Sequence, residues 1–231
     1  VACRFVPYIV VGVVHLVCVL AGAATLVAVT KPLLMPVLLV CLLWALPVRR
    51  GEVALLGSLA VLFGWLGDVS LMDAGPGFVI GLGFFLLGHL AYVVLFWRRM
   101  RFRRPRWWSV LYLAWFAALL AVLAPHAGAL LAPLAAYGLA LVALGASGSA
   151  CNRWISVGAA CFVVSDSLLG LDRFLPGFAL WQIDFLIMLS YLAAQGLICV
   201  GIVRTARSRL PAASAVASAA RLVPWARSRR R

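Results

Sequence analysis

A helix needs about 20 apolar residues to cross ~30 Å of hydrocarbon, since each residue advances it by about 1.5 Å. This sequence is built almost entirely of blocks near that length. Eight can be delimited, at about 6–29, 33–47, 53–71, 78–97, 107–124, 128–145, 154–170 and 181–203. In lipid every backbone N–H and C=O must be satisfied internally, so an open chain of such blocks can only be helical. The composition agrees: 66% of the 231 residues are hydrophobic and the mean hydropathy is +1.11. A soluble domain runs near half apolar. The expected fold is an all-α integral membrane protein, a bundle of eight transmembrane helices over residues 1–204, followed by a basic tail over 205–231. Pro32 fits the first turn of the second helix, and the shortness of that block calls for local thinning or snorkelling. Pro36 and Pro133 should bend their helices unless neighbours compensate. The first block runs into Thr30-Lys31-Pro32 without a convincing cleavage site, so it reads as a retained span and not as a signal peptide.

Charge sets the orientation. Nineteen Arg and one Lys face six acids, a net charge of +14. Eighteen of these cations fall at the amino end, in alternate loops and in the tail: Arg4, Arg49, Arg50, the six arginines of 98–106, Arg153 and eight from Arg204 onward. The opposite loops hold Lys31 and Arg173. The positive-inside rule then puts both termini in the cytoplasm, with the tail against anionic lipid head groups; the expected setting is a bacterial plasma membrane. Because the arginines flank membrane-length blocks and do not cover a polar domain, the charge does not mark a nucleic-acid binder. Six cysteines without CxxC spacing read as small buried hydrophobes, not as a metal or disulfide framework.

A weak internal repeat adds detail. "LGDVSLMDAGPGF" at 66–78 and "VSDSLLGLDRFLPGF" at 164–178 each carry an Asp near a helix end, then leucines, then Pro-Gly-Phe opening the next helix. Tyr92 and Tyr191 follow 16 and 15 residues after those prolines. The copies lie four spans apart, which suggests two parallel four-helix repeats. Asp68 and Asp166 would then face one another at similar depth. A carboxylate there costs roughly 2.5–3.5 kcal/mol on insertion scales, so two of them imply a polar cavity. Asp184, Tyr191 and Gln195 share one face of the eighth helix, His89 and Tyr92 one face of the fourth, and Tyr137 lies midway along the sixth. Thr30 and Lys31 sit at the outer end of the first hairpin. The expected result is an outward-opening cavity, carboxylates at its mouth, His, Tyr and Gln below. His15 and His126 receive no role. Trp97, Trp107, Trp108, Trp154 and Trp181 lie near span ends, as an aromatic belt would.

Five stretches in order, "TKPLLMPVLL" at 30–39, "GWLGDVSLM" at 64–72, "FFLLGHLAYVVLF" at 84–96, "GAACFVVSDSLLGL" at 158–171 and "SYLAAQGLI" at 190–198, resemble the YhhN-type membrane proteins, the lysoplasmalogenase family. Leu192 departs from the pattern, which leads one to expect a second tyrosine after Tyr191. The resemblance implies hydrolysis of the vinyl ether bond of a lysoplasmalogen, a lysophospholipid, to a fatty aldehyde and a glycerophospho-head-group. It also implies a site at Lys31, Asp68, His89, Tyr92, Asp166, Tyr191 and Gln195, with no cofactor. Such chemistry requires a proton donor for the β-carbon and an anion beside the resulting oxocarbenium ion. Two carboxylates in different surroundings can divide that work, as in glycosidases. Asp68 and Asp166 are therefore the candidate acid-base pair, in either order, with His89 as orienting group or relay. Lys31 would hold the phosphate, and Tyr92, Tyr137, Asp184, Tyr191 and Gln195 would complete the substrate site. A transporter for lipid or a small molecule also suits intramembrane carboxylates and parallel repeats. A metal hydrolase fits poorly, for want of HExxH or clustered His.

Overall fold

The computed structural model describes residues 2–72 and 77–222, with side chains described as far as Leu210. Among the described residues it contains eight α-helices: α1 (Val6–Leu20), α2 (Ala24–Ala45), α3 (Glu52–Ser70), α4 (Gly77–Leu95), α5 (Val110–Ala127), α6 (Leu131–Ser149), α7 (Arg153–Phe174) and α8 (Ile183–Leu222). Pro76, on which the first copy of the repeat turns, and residues 223–231 of the tail lie outside the described residues. Seven segments are long and apolar enough to cross a membrane, and one of them, Trp107–Ser149, holds both α5 and α6. That segment doubles back at Gly128, whose φ is +52°. A methyl added at Gly138 would meet Phe116, and one at Gly145 would meet Tyr112, so partners descend along α5 as they ascend along α6. The two helices form an antiparallel hairpin.

Seven helices close a ring in the order α1, α2, α3, α4, α6, α7, α8, with α8 returning to α1; α5 lies outside against α6 and α7. The closest pairs are α3–α4 and α7–α8. Small residues make the first pair possible. A Cβ at Gly67 would lie 2.8 Å from the Phe85 ring, and one at Gly88 would lie 3.2 Å from the Ala60 carbonyl. Where lipid competes with protein for apolar contact, such close approach is what binds helices. Large apolar side chains such as Ile9, Val13 and Val17 on α1 and Val110, Leu111 and Leu113 on α5 point outward.

The first hairpin corrects the boundary expected from sequence. The turn falls at residues 21–23, not at 30–32. Gly22 takes φ +65°, its N–H donates to the Val19 carbonyl, and the Ala23 N–H donates to the Cys18 carbonyl. This is the Schellman ending, which needs a left-handed residue that glycine supplies without strain. Pro32 is therefore inside α2, not in its first turn, and the second helix is full length at 22 residues. The second proline, Pro36, cannot donate to the carbonyl of Pro32. The Trp65 indole N–H replaces it, donating to that oxygen at 2.9 Å. An orphaned carbonyl in the membrane interior is thus satisfied from α3. Pro133 also differs from expectation: it stands in the first turn of α6, where a missing N–H costs little and no bend is required.

The Arg-rich ends are tied by local chemistry. Glu52 at the start of α3 accepts from Arg98 at 2.6 Å and Arg99 at 2.5 Å. Asn152 caps α7 through the Trp154 and Ile155 N–H groups and donates to the Gly201 carbonyl on α8. Trp97 packs under Arg101, and the Trp154 ring meets both Arg153 and Arg204.

Candidate active site

Two hydrogen-bonded sets, each ending on a carboxylate, meet at α4. The first runs along α8. The Tyr92 hydroxyl donates to Gln195 Oε1 at 2.7 Å, Gln195 Nε2 donates to the Tyr191 hydroxyl at 3.4 Å, and Tyr191 donates to Asp68 Oδ2 at 2.9 Å. The four-residue spacing of Tyr191 and Gln195 stacks them on one helix face. Gly64 on α3 makes room for both, since a Cβ there would lie 2.8 Å from Gln195 Nε2 and 3.2 Å from the Tyr191 hydroxyl. In the second set, Tyr137 on α6 donates to Asp166 Oδ2 at 2.7 Å, and His89 Nε2 stands 3.8 Å from the same oxygen. His89 and Tyr92 are three residues apart on α4, so one helix serves both sets. The Phe162 ring stands between them, with its centroid 4.9 Å from His89 and 5.7 Å from Tyr191.

Asp68 and Asp166 line one polar cavity of about 420 Å³, together with Lys31, Asp184, Tyr191 and His15. Asp68 is buried at 3% exposure, and Asp184, in the first turn of α8, is exposed at the mouth. Lys31 lies seven residues into α2, about 10 Å along its axis, and not in an outer loop as the sequence suggested. Among the described residues it makes no ion pair, which leaves its ammonium to the cavity. Tyr92, Gln195 and His89 do not line this cavity. They form the buried layer behind it.

A second, apolar crevice opens between α4, α5, α6 and α7, lined by residues such as Leu82, Trp115, Phe116, Leu120 and Leu123. Tyr137 and Asp166 border it. Asp166, Leu71, Phe85 and Leu169 belong to both spaces, so the two meet at a carboxylate. The arrangement offers a charged, polar chamber for a head group and an apolar slot for a chain, with ionisable oxygen where they join. Such a cleft, mostly apolar with a few convergent polar groups, is how a lipid site is built.

Leu192, where a second tyrosine was expected, packs against Gly12 of α1, and its carbonyl accepts from the Tyr8 hydroxyl at 2.8 Å. It lines neither space. Sequence reasoning assigned nothing to His15, Tyr8 or Gly64. Among the described residues no cluster of three or more His, Cys, Asp or Glu is placed to hold a metal ion.

Comparison with known proteins supplies the context for this geometry. The sequence model of the YhhN family matches residues 26–202. A lysoplasmalogenase of Mycobacterium bovis is 35% identical over 133 residues, covering 54% of this chain and 50% of that protein. One of Mycobacterium tuberculosis matches with the same figures. The chain thus spans about half the length of the curated relatives it matches. No solved structure matches.

Proposed function

We propose that this chain, which belongs to the YhhN family and is a multi-pass integral membrane protein, hydrolyses the vinyl ether bond of a lysoplasmalogen. The observation that carries the reading is the meeting of the two spaces at Asp166. The lipid chain occupies the apolar crevice, the glycerol and phosphate lie in the polar cavity, and the vinyl ether between them falls beside the carboxylates. Lys31 supplies the cation for the phosphate as a point charge.

The chemistry follows from that pose. Asp166, on the border of the crevice, gives its proton to the β-carbon of the alkenyl group. The former double bond becomes an oxocarbenium ion. Asp68, held by Tyr191, stabilises the cation and takes a proton from the water that attacks the carbon bonded to oxygen. The hemiacetal then collapses to aldehyde and glycerol hydroxyl, and the proton held by Asp68 returns through the cavity to Asp166. One water is consumed and no proton is lost. Tyr137 orients Asp166, and His89, 3.8 Å from the same oxygen, backs that carboxylate from the buried layer. Tyr92 and Gln195 fix the direction of the Tyr191 hydroxyl, acting as positioning residues. Charge development met by a preset dipole or anion is where such sites gain most of their rate.

The same reading takes the fold as eight crossings in two parallel four-helix halves, with both termini in the cytoplasm. The internal contacts are in keeping with it: α1–α2, α2–α3 and α3–α4 have counterparts in α5–α6, α6–α7 and α7–α8. With Lys31 inside α2, the Arg-poor side keeps only Arg173. The test is turnover of a purified sample in deuterated water with rapid reductive trapping of the product. The proposal expects a fatty aldehyde with one deuterium on its second carbon. Flux of intact lipid into vesicles without aldehyde would establish a transporter instead.

A further inference from the structure

His15 lines the polar cavity from α1, ahead of the segment the family model covers, and its side chain is fully buried. The Thr30 hydroxyl, on α2, donates its single proton to the Leu26 carbonyl at 2.7 Å. The same oxygen stands 2.8 Å from His15 Nδ1, and with its proton on that carbonyl it accepts there. With the hydrogen on Nδ1, neutral His15 has its lone pair at Nε2. That nitrogen is buried and without a hydrogen-bond partner in the structure. A buried acceptor left unmatched is costly, so a cavity that keeps one is shaped for a donor. The other cavity residues meet the remaining parts of a lysolipid: Lys31 is a donor suited to phosphate, and Asp166 faces the crevice.

We infer that His15 reads the free hydroxyl on the central glycerol carbon of the substrate, accepting its proton at Nε2. The inference rests on the hydrolase reading above. It gives the cavity a reason to take lysolipids and refuse diacyl ones. An ester oxygen at that carbon has no hydrogen, so it would face the nitrogen lone pair to lone pair. Sites built to bond a hydroxyl reject analogues that lack it, because the site's own polar group is left unpaired.

The experiment compares aldehyde release from an alkenyl lysophospholipid and from its analogue lacking the central hydroxyl, using wild type, His15→Phe and Thr30→Val. The ratio of kcat/KM for the two substrates is the readout, and it does not depend on how much of a variant is folded. Wild type is expected to favour the hydroxyl substrate by about tenfold. His15→Phe should bring the ratio near one. Thr30→Val, which frees the tautomer, should lower it part of the way. A wild-type ratio near one, or a ratio unchanged in His15→Phe, overturns the inference while leaving the hydrolase intact. No aldehyde from either substrate with wild type overturns both.

Discussion

Replacing Tyr191 by Phe removes one oxygen and leaves the ring. The Phe85 and Phe162 contacts, at centroid distances of 6.0 Å and 5.7 Å, are retained, so packing changes little. What is lost is the 2.9 Å bond to Asp68 Oδ2 and the 3.4 Å acceptor for Gln195. A hydrogen bond to a charged group contributes about 1.5–3 kcal/mol. If that contribution acts on the transition state, the rate falls about 10- to 150-fold at 1.36 kcal/mol per factor of ten. Stability should fall by about 1–3 kcal/mol, mostly from the donor that buried Asp68 loses, because the Gln195 bond is long and weak. Aldehyde release in nanodiscs and thermal melting of the same preparations measure the two effects. A double-mutant cycle with Asp68→Asn isolates the pair. Tyr191→Phe should add little once Asp68 has been replaced. Wild-type turnover in Tyr191→Phe, or its full penalty on top of Asp68→Asn, would refute the proposed coupling.

Three further outcomes are expected. Trp65→Phe should destabilise the protein by about 1–2 kcal/mol, since the Pro32 carbonyl loses its donor; adding Pro36→Ala, which restores a backbone N–H to that carbonyl, should recover most of the loss in melting temperature. Leu123→Trp should narrow the crevice and lower kcat/KM for long-chain substrates severalfold more than for short ones, measured with an alkenyl chain-length series. A fluorescent reporter that matures only in the cytoplasm, fused after Arg204, should be bright, and the same reporter placed after Gly22 should be dark.

The carboxylates were legible because membrane-depth Asp is rare, so each of the two demanded a reason. The spacing of Tyr191 and Gln195 was legible for the same reason a helix face is: four residues make one turn and a little more. The first hairpin was not. An apolar run with one glycine at residue 22 carries little signal, whereas Thr30-Lys31-Pro32 looks like a polar turn opening a helix. The deciding fact, an indole N–H on α3 that makes Pro36 tolerable inside α2, is a tertiary contact and invisible to local pattern. The error propagated. With the turn misplaced, Thr30 belonged to a loop and His15 had no partner, so the His15–Thr30 hydrogen bond could not be foreseen. Gly64 and Gly67 were similarly silent, because their role is the space they leave for Tyr191, Gln195 and Phe85.

The account stands on two acids from α3 and α7 serving one reaction in one cavity. Its most direct test is aldehyde release from lysoplasmalogen by wild type, Asp68→Asn and Asp166→Asn, each confirmed as folded by melting temperature. Removal of an essential acid or base typically costs about 10²–10⁴ in rate. Loss of that size in both variants is the predicted result. Turnover at the wild-type level in either one would contradict it.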